Sequence, residues 1–272
     1  MAELIDLAPE FAEAWRGRDP FEVAFALEGE VFRKVKSRRT FRFELNGNGY
    51  FAKIHHGVGW REIIKNCLMG KRPVLGARNE YEALALLHKV GVDTMTSCAF
   101  GCRGSNPAKL DSFLITAELR DMTSLEDFCR DWPMNPPPPR LRHGLTRRLA
   151  LMAKGMHDAG LNHRDCYLCH FLLDNATCGE ELPHLYVIDL HRAEIRPEIP
   201  SRYRVKDVAG LHFSSMDIGL TRRDRFRFMK IYSGKRLRDT LREDAAFWRA
   251  VDDAAVKLYR KERRKLQKRT TA

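Results

Sequence analysis

The chain lacks any apolar run long enough to cross a bilayer; stretches such as Phe113–Ala117 fall far short of the ~20 residues a spanning helix needs. Its opening, MAELIDLAPEFAEAWRGRDP, places acidic residues early and has neither the basic start nor the continuous apolar segment of a secretory signal. A cytoplasmic protein is therefore expected. Cysteine is present in an odd number, seven. Without an export signal these read as reduced thiols rather than a disulfide framework. No internal repeat is found, which sets aside repeat arrays. Acidic charge is in deficit, with 36 Asp and Glu against 48 Lys and Arg.

What remains is the material of a globular protein. A chain of 272 residues, 44% apolar and 31% charged, can bury a sizeable core as one large domain or two lobes. Its net charge of +12 attracts nucleic acid, anionic membrane or an acidic partner, and charge alone does not choose among them.

Strand-like segments Glu30–Val35 and Thr40–Leu45 flank a basic turn, Lys36–Arg39. Asn46–Gly49 (NGNG) supplies residues tolerant of positive φ, and Tyr50–His55 follows as a third strand with Lys53 inside it. After a basic insertion, Gly57–Arg72, the spacing of Tyr81, Leu84 and Leu87 predicts a helix over about Ala77–Lys89, stopped by Gly91. Ser112–Glu118 reads as a buried strand, Ser124–Trp132 as a short helix and Pro136–Pro139 as a surface loop. Leu145, Leu149, Met152 and Met156 mark a helix over about Leu141–Ala159, followed by a loop, Asn162–His170, and strands at Phe171–Leu173 and Leu185–Leu190. Beyond that the chain reads as helical, ending in the basic stretch Lys257–Arg269. Strands with one helix, then mostly helices, predict an α+β fold of two lobes: residues 1–119, rich in β-structure, and 120–272, mostly helical.

Phosphoryl transfer needs a cation on the phosphates, metal held by hard ligands, and a carboxylate aimed at the attacking hydroxyl. Those parts occur in order. Lys53 sits in a strand, and Glu80 or Glu82 in the next helix is its candidate partner. His163-Arg164-Asp165 follows a long helix, and Asp189 ends a later strand.

HRDCYLCHFLLD (163–174) resembles the protein-kinase catalytic loop, VIDLHRA (187–193) its metal-binding segment, FAK (51–53) its lysine strand and Ile115–Glu118 its hinge. Together with TFRFELNGNGYFAKIHHGVGWREIIKN, these segments closely resemble the bacterial lipopolysaccharide core heptose(I) kinase family. The resemblance implies a protein-kinase-like fold with nucleotide between the lobes. It implies transfer of phosphate from ATP, with Mg2+ or Mn2+, to the first heptose of the inner-core glycolipid, at the cytoplasmic face of a Gram-negative inner membrane. By the match Asp165 is the general base in a loop with His163 and Arg164. Lys53, Glu80 and Glu118 serve the nucleotide, and Asp189 with His170 the metal.

Two features depart from ordinary kinases. No G-x-G-x-x-G loop is present; the turn Arg33-Lys34-Val35-Lys36-Ser37-Arg38-Arg39 offers cationic side chains instead, as a phosphate contact or as a solvated hairpin tip. His170 replaces the usual metal-binding Asn, and metal contact, phosphate contact or bracing of Asp165 all stay open.

Rival readings use the same residues. Cys166–His170 is a literal C-x-x-C-H, but haem attachment belongs outside the cytoplasm. Cys98, Cys102, Cys166 and Cys169 suit zinc less well than they suit buried thiols. The basic tail and Arg202, Arg204, Arg222, Arg223, Arg225 and Arg227 are expected to serve an anionic membrane surface or the acceptor, or an acidic protein partner of acyl-carrier type. A kinase of another acceptor (a Kdo sugar, a small molecule or a protein side chain) and a catalytically dead kinase fold that binds nucleic acid or membrane are the remaining alternatives, and the intact set Lys53, Asp165 and Asp189 argues against the second.

Overall fold

A computed structural model describes residues 3–35, 37–69 and 73–270. The chain divides into two compact units: one contains residues up to Ala85 with Met95–Arg120 and Leu190–Arg192, the other Leu86–Thr94, Asp121–Asp189 and Ala193 onward.

The first unit is built on a sheet of β1 (Leu4–Leu7), β2 (Glu30–Val35), β3 (Arg38–Leu45), β4 (Asn48–His55), β5 (Ser97–Arg103) and β6 (Asp111–Ala117), in the order β1-β5-β6-β4-β3-β2. Asn46 and Gly47 have φ of 52° and 79° between paired Leu45 and Asn48, so NGNG makes the two-residue hairpin its composition predicts. That turn sets the register, and the register sorts side chains between the two faces.

One face carries Phe41, Phe43, Tyr50, Ala52, Ile54, Phe113 and Ile115 and is covered by α1 (Pro9–Ala14) and α2 (Pro20–Ala26). Phe11 meets Tyr50 edge-on at 5.0 Å between centroids, and Phe21 meets Phe113 at 5.2 Å. A Cβ on Gly101 would lie 2.3 Å from the Phe113 ring, which is why glycine stands there. The opposite face carries Lys53 and His55. Over it lies α4 (Arg78–Lys89), with the Tyr81 ring stacked on Phe100 at 4.0 Å. Strands β1 and β5, and the helices α1, α2 and α3 (Trp60–Leu68), were not predicted. SCAFGCR in β5 is small and sulfur-rich, with none of the β-branched pattern that announces a strand. Residues 70–72 of the predicted insertion lie outside the described residues.

In the second unit, β7 (Met122–Ser124) leads into α5 (Leu125–Phe128), whose N-cap is the Ser124 hydroxyl. Helix α6 (Pro139–Asp158) begins on the last residue of the proline run, since proline suits a first turn. Its buried stripe includes Leu145, Leu149, Met152 and Met156. Then come β8 (Leu161–Asn162), β9 (Phe171–Asp174), β10 (Leu185–Val187) and β11 (Glu194–Ile195); β9 pairs with β7 and β10, and β8 with β11. The predicted strand Leu185–Leu190 stops at Val187 because Asp189 has φ 61° and Leu190–Arg192 form a 3-10 turn. Helices α7 (Ser201–Ser214), α8 (Arg222–Ser233), α9 (Leu237–Glu243) and α10 (Ala245–Thr270) complete the unit, α10 carrying the basic tail.

Candidate active site

In the sheet unit, the two-residue period of β4 puts Lys53 on the face beneath α4. Lys53 Nζ donates to Glu80 Oε1 at 2.6 Å, and Glu80 is fully buried. Of the two glutamates weighed for this position, Glu82 pairs instead with Arg78 at 2.7 Å on the exposed side of the helix. His55, two residues on and beside Lys53, is buried with Nε2 unpartnered. Burial, and then the cations Arg38 and Lys53, pull its pKa down to about 3, so the ring is neutral.

The Glu118 carboxylate takes a bidentate pair of bonds from Arg42, at 2.6 and 2.9 Å, and Arg120 lies at 3.8 Å. Those arginines hold the carboxyl below its usual range. The side chain thus ties β3 to the end of β6 instead of standing open. Arg39, from the basic turn, donates to the carbonyls of Phe25 and Leu27 at 3.0 and 2.9 Å and covers the Phe41 ring. Lys36 of that turn lies outside the described residues.

The catalytic-looking loop belongs to the helical unit. Asp207, on α7 and only 1% exposed, accepts from the backbone N–H of His163 at 2.6 Å and of Arg164 at 2.9 Å. These bonds hold Arg164 at φ 72°, a left-handed geometry that a long side chain does not choose unaided. From there Arg164 Nη1 reaches Glu194 Oε1 at 2.7 Å. Arg196 pairs with the other Glu194 oxygen and donates to Asn162 Oδ1 at 2.7 Å, closing the network across the β8–β11 pair.

Asp165 is half-buried on this loop, its carbonyl accepting from Tyr167 N–H at 3.0 Å and from His170 Nδ1 at 2.7 Å. A carbonyl only accepts, so Nδ1 carries the proton. His170 Nε2 then faces Asp189 Oδ2 at 3.6 Å, a separation with room for a shared cation. His163 is sealed from solvent, and its Nε2–H donates to the Ile188 carbonyl at 3.0 Å. Burial depresses its pKa, so it braces the backbone just before Asp189 as a neutral ring.

Sequence reasoning passed over Asp207, Glu194, His157 and Tyr232. His157 Nδ1 meets the Tyr232 hydroxyl at 2.7 Å, and its Nε2 lies 3.4 Å from Asp207. One signal was there: Asp207 is followed directly by the apolar run Val-Ala-Gly-Leu, the setting of a buried and therefore partnered carboxylate. Glu194 and Tyr232 carried none.

A family model described as the lipopolysaccharide kinase (Kdo/WaaP) family matches residues 23–232. The chain is 50% identical over 260 residues to the lipopolysaccharide core heptose(I) kinase WaaP of Pseudomonas aeruginosa, covering 95% of this chain and 97% of the relative. It is 52% identical over 239 residues to the protein of that description from Escherichia coli K12, covering 88% and 90%. A solved structure described as WaaP in complex with acyl carrier protein matches with a TM-score of 0.82 at 46% identity, over 94% of this chain and 99% of that one. With this similarity along nearly its whole length, the chain belongs to the lipopolysaccharide kinase (Kdo/WaaP) family and has its protein-kinase-like fold.

Proposed function

We propose that the protein transfers the γ-phosphate of ATP to a hydroxyl of the first heptose of the lipopolysaccharide inner core. The observation that carries this reading is the catalytic loop: Asp165 stands on a backbone held by Asp207 and by the Arg164–Glu194 pair, in a chain half identical to heptose(I) kinases. In this reaction Asp165 accepts the proton of the attacking hydroxyl, whose oxygen bonds to the γ-phosphorus as the bond to ADP breaks. Lys53, oriented by Glu80, bears on the α- and β-phosphates.

Asp189 and His170 fit a divalent cation, Mg2+ or Mn2+. Their facing atoms are 3.6 Å apart, and the bond from Nδ1 to the Asp165 carbonyl turns Nε2 toward Asp189 as the ring nitrogen available for ligation. A bound cation neutralises charge on the phosphate oxygens.

Among the arginines expected to serve the acceptor, Arg204 is engaged by the His157 carbonyl and Asp158, and Arg227 by Asp224. Arg222, Arg223 and Arg225 are exposed on α8 and are the ones we assign to acidic groups of the acceptor. An acidic acyl carrier protein is the favoured protein partner, on the strength of the net charge of +12 and of the solved relative's complex. An apolar cavity of about 320 Å³ among Leu145, Leu149, Leu211, Phe228 and Trp248 offers room for an acyl chain. The site of action is the cytoplasmic face of the inner membrane, where such an acceptor is made.

An ATP-turnover assay with dephosphorylated inner-core glycolipid tests the reading. Phosphate should map to heptose I, and Asp165→Ala should abolish turnover while ATP still binds. Phosphate on a Kdo sugar, or near-normal turnover by the variant, would overturn it.

A further inference from the structure

Helix α3 is held at one end and, among the described residues, exposed along most of its apolar side. Gly59, at φ 75°, donates its N–H to the Ala108 carbonyl at 3.0 Å, and a Cβ on Gly57 would strike that same oxygen; the two glycines fasten the start of the helix to the β5–β6 connection. Ile63 is buried on that side. At 100° per residue, Ile63, Cys67, Trp60, Ile64 and Leu68 share an arc of about 140°. Past Ile63 the arc faces outward: Trp60 is 54% exposed, Ile64 53% and Leu68 84%. Lone exposed apolar residues are ordinary, but three large ones in register on one helix are not.

The polar residues are sorted as well. Arg61 and Lys65 follow Leu68 around the helix, at the rim of the apolar arc, and both are exposed. Glu62 and Asn66 lie on the opposite side, where Asn66 Nδ2 bonds the Glu62 carbonyl and carboxylate at 2.8 and 2.9 Å. Lys65 reaches Glu62 only at 3.8 Å, through an exposed pair that solvent screens. Lys109, exposed on the turn that α3 packs against, adds a further cation.

We propose that α3 is an interfacial anchor that inserts Trp60, Ile64 and Leu68 at the surface of an anionic bilayer, with Arg61, Lys65 and Lys109 on the lipid headgroups. A short helix with a bulky apolar arc rimmed by basic residues is what such a boundary takes up, and it asks for no matching shape. A protein partner fits less well. Nine residues make a helix roughly 13 Å long, and its exposed arc offers an area well below the ~800 Å² per partner of a stable interface. A second copy of a chain carrying +12 is also repelled electrostatically. This role rests on the proposed reaction only in that its acceptor is held in a membrane, and its test needs neither ATP nor acceptor.

The experiment is flotation of the full-length protein with vesicles of phosphatidylcholine and phosphatidylglycerol, against phosphatidylcholine alone. Ile64→Ser/Leu68→Ser should lower partition to the anionic vesicles by about tenfold or more, since two outward apolar side chains lose their burial. Arg61→Glu/Lys65→Glu should weaken binding to the anionic vesicles and leave any residual binding to neutral ones unchanged. Trp60 emission should shift to the blue on anionic vesicles, and the shift should vanish in Trp60→Phe. All five substituted positions are exposed, so the variants should melt with the parent and keep parental turnover on a soluble, lipid-free core saccharide. Parental flotation of Ile64→Ser/Leu68→Ser would overturn the proposal. So would a wild-type dimer in solution that this variant dissolves, which would assign the face to a second copy.

Discussion

Asp207→Asn is a near-isosteric change at a buried residue, and the structure sets its cost. The carboxylate accepts two backbone N–H groups, at 2.6 and 2.9 Å, where almost no solvent reaches. Hydrogen bonds to a charged group are worth about 1.5–3 kcal/mol each. Asparagine keeps one oxygen and turns an NH2 donor toward the other N–H, so one bond is lost and two donors are brought together. A cost of about 2–4 kcal/mol follows, which for a chain of this size lowers the melting temperature by roughly 4–16 °C. Freed from Asp207, Arg164 relaxes from φ 72°, and Asp165 moves with it. Displacement of a reacting group by about 1 Å costs on the order of a hundredfold in rate. Turnover should therefore fall by that order while ATP affinity, measured by titration calorimetry, changes little. A variant that melts with the parent and turns over at the parental rate would refute the idea that Asp207 positions the loop.

Glu194→Gln keeps the shape but uncharges the anchor of Arg164; kcat should fall about tenfold with KM for ATP held, as steady-state kinetics will show. Glu80→Gln leaves Lys53 without its buried counter-charge and should lower kcat/KM for ATP by about ten- to a hundredfold. His55 takes up a proton near pH 6.5 when unfolded but only near 3 when folded, so stability is lost as pH falls through that window, by about 1.4 kcal/mol per pH unit for this proton. His55→Gln should remove that one-proton slope from urea midpoints compared at pH 7 and 5, and a slope unchanged by the variant would count against it. Burial pushes the thiols of Cys129 and Cys169 up to about 12 and about 11, and that of Cys166 higher than its usual range, whereas Cys67 is exposed on α3. Iodoacetamide at neutral pH should accordingly label Cys67 first by peptide mass mapping, and reach Cys166 and Cys129 only on unfolding.

Much of this was legible in one dimension because the signals are local. A hairpin at Asn46–Gly47 follows from residues that tolerate positive φ, and the stripe Leu145, Leu149, Met152, Met156 follows from helical period. The candidate catalytic loop was legible because its parts are contiguous, so spacing alone assigns Asp165 its proposed place. Less was visible where local propensity is weak. β1 and β5 hold their places by pairing with each other and with β6, and the N-terminal helices by aromatic contacts made across many residues of chain.

The sequence by itself determined the fold class and the family, since motif order and patterning survive without coordinates. Only the tertiary structure decided which partner each charged group takes. It gave Lys53 to Glu80 and not Glu82, committed Glu118 to Arg42, and placed Asp207 and Glu194 behind the loop from 43 and 30 residues away from Arg164. The reason is physical: an ion pair's energy depends on distance and burial, and neither is a property of position along the chain.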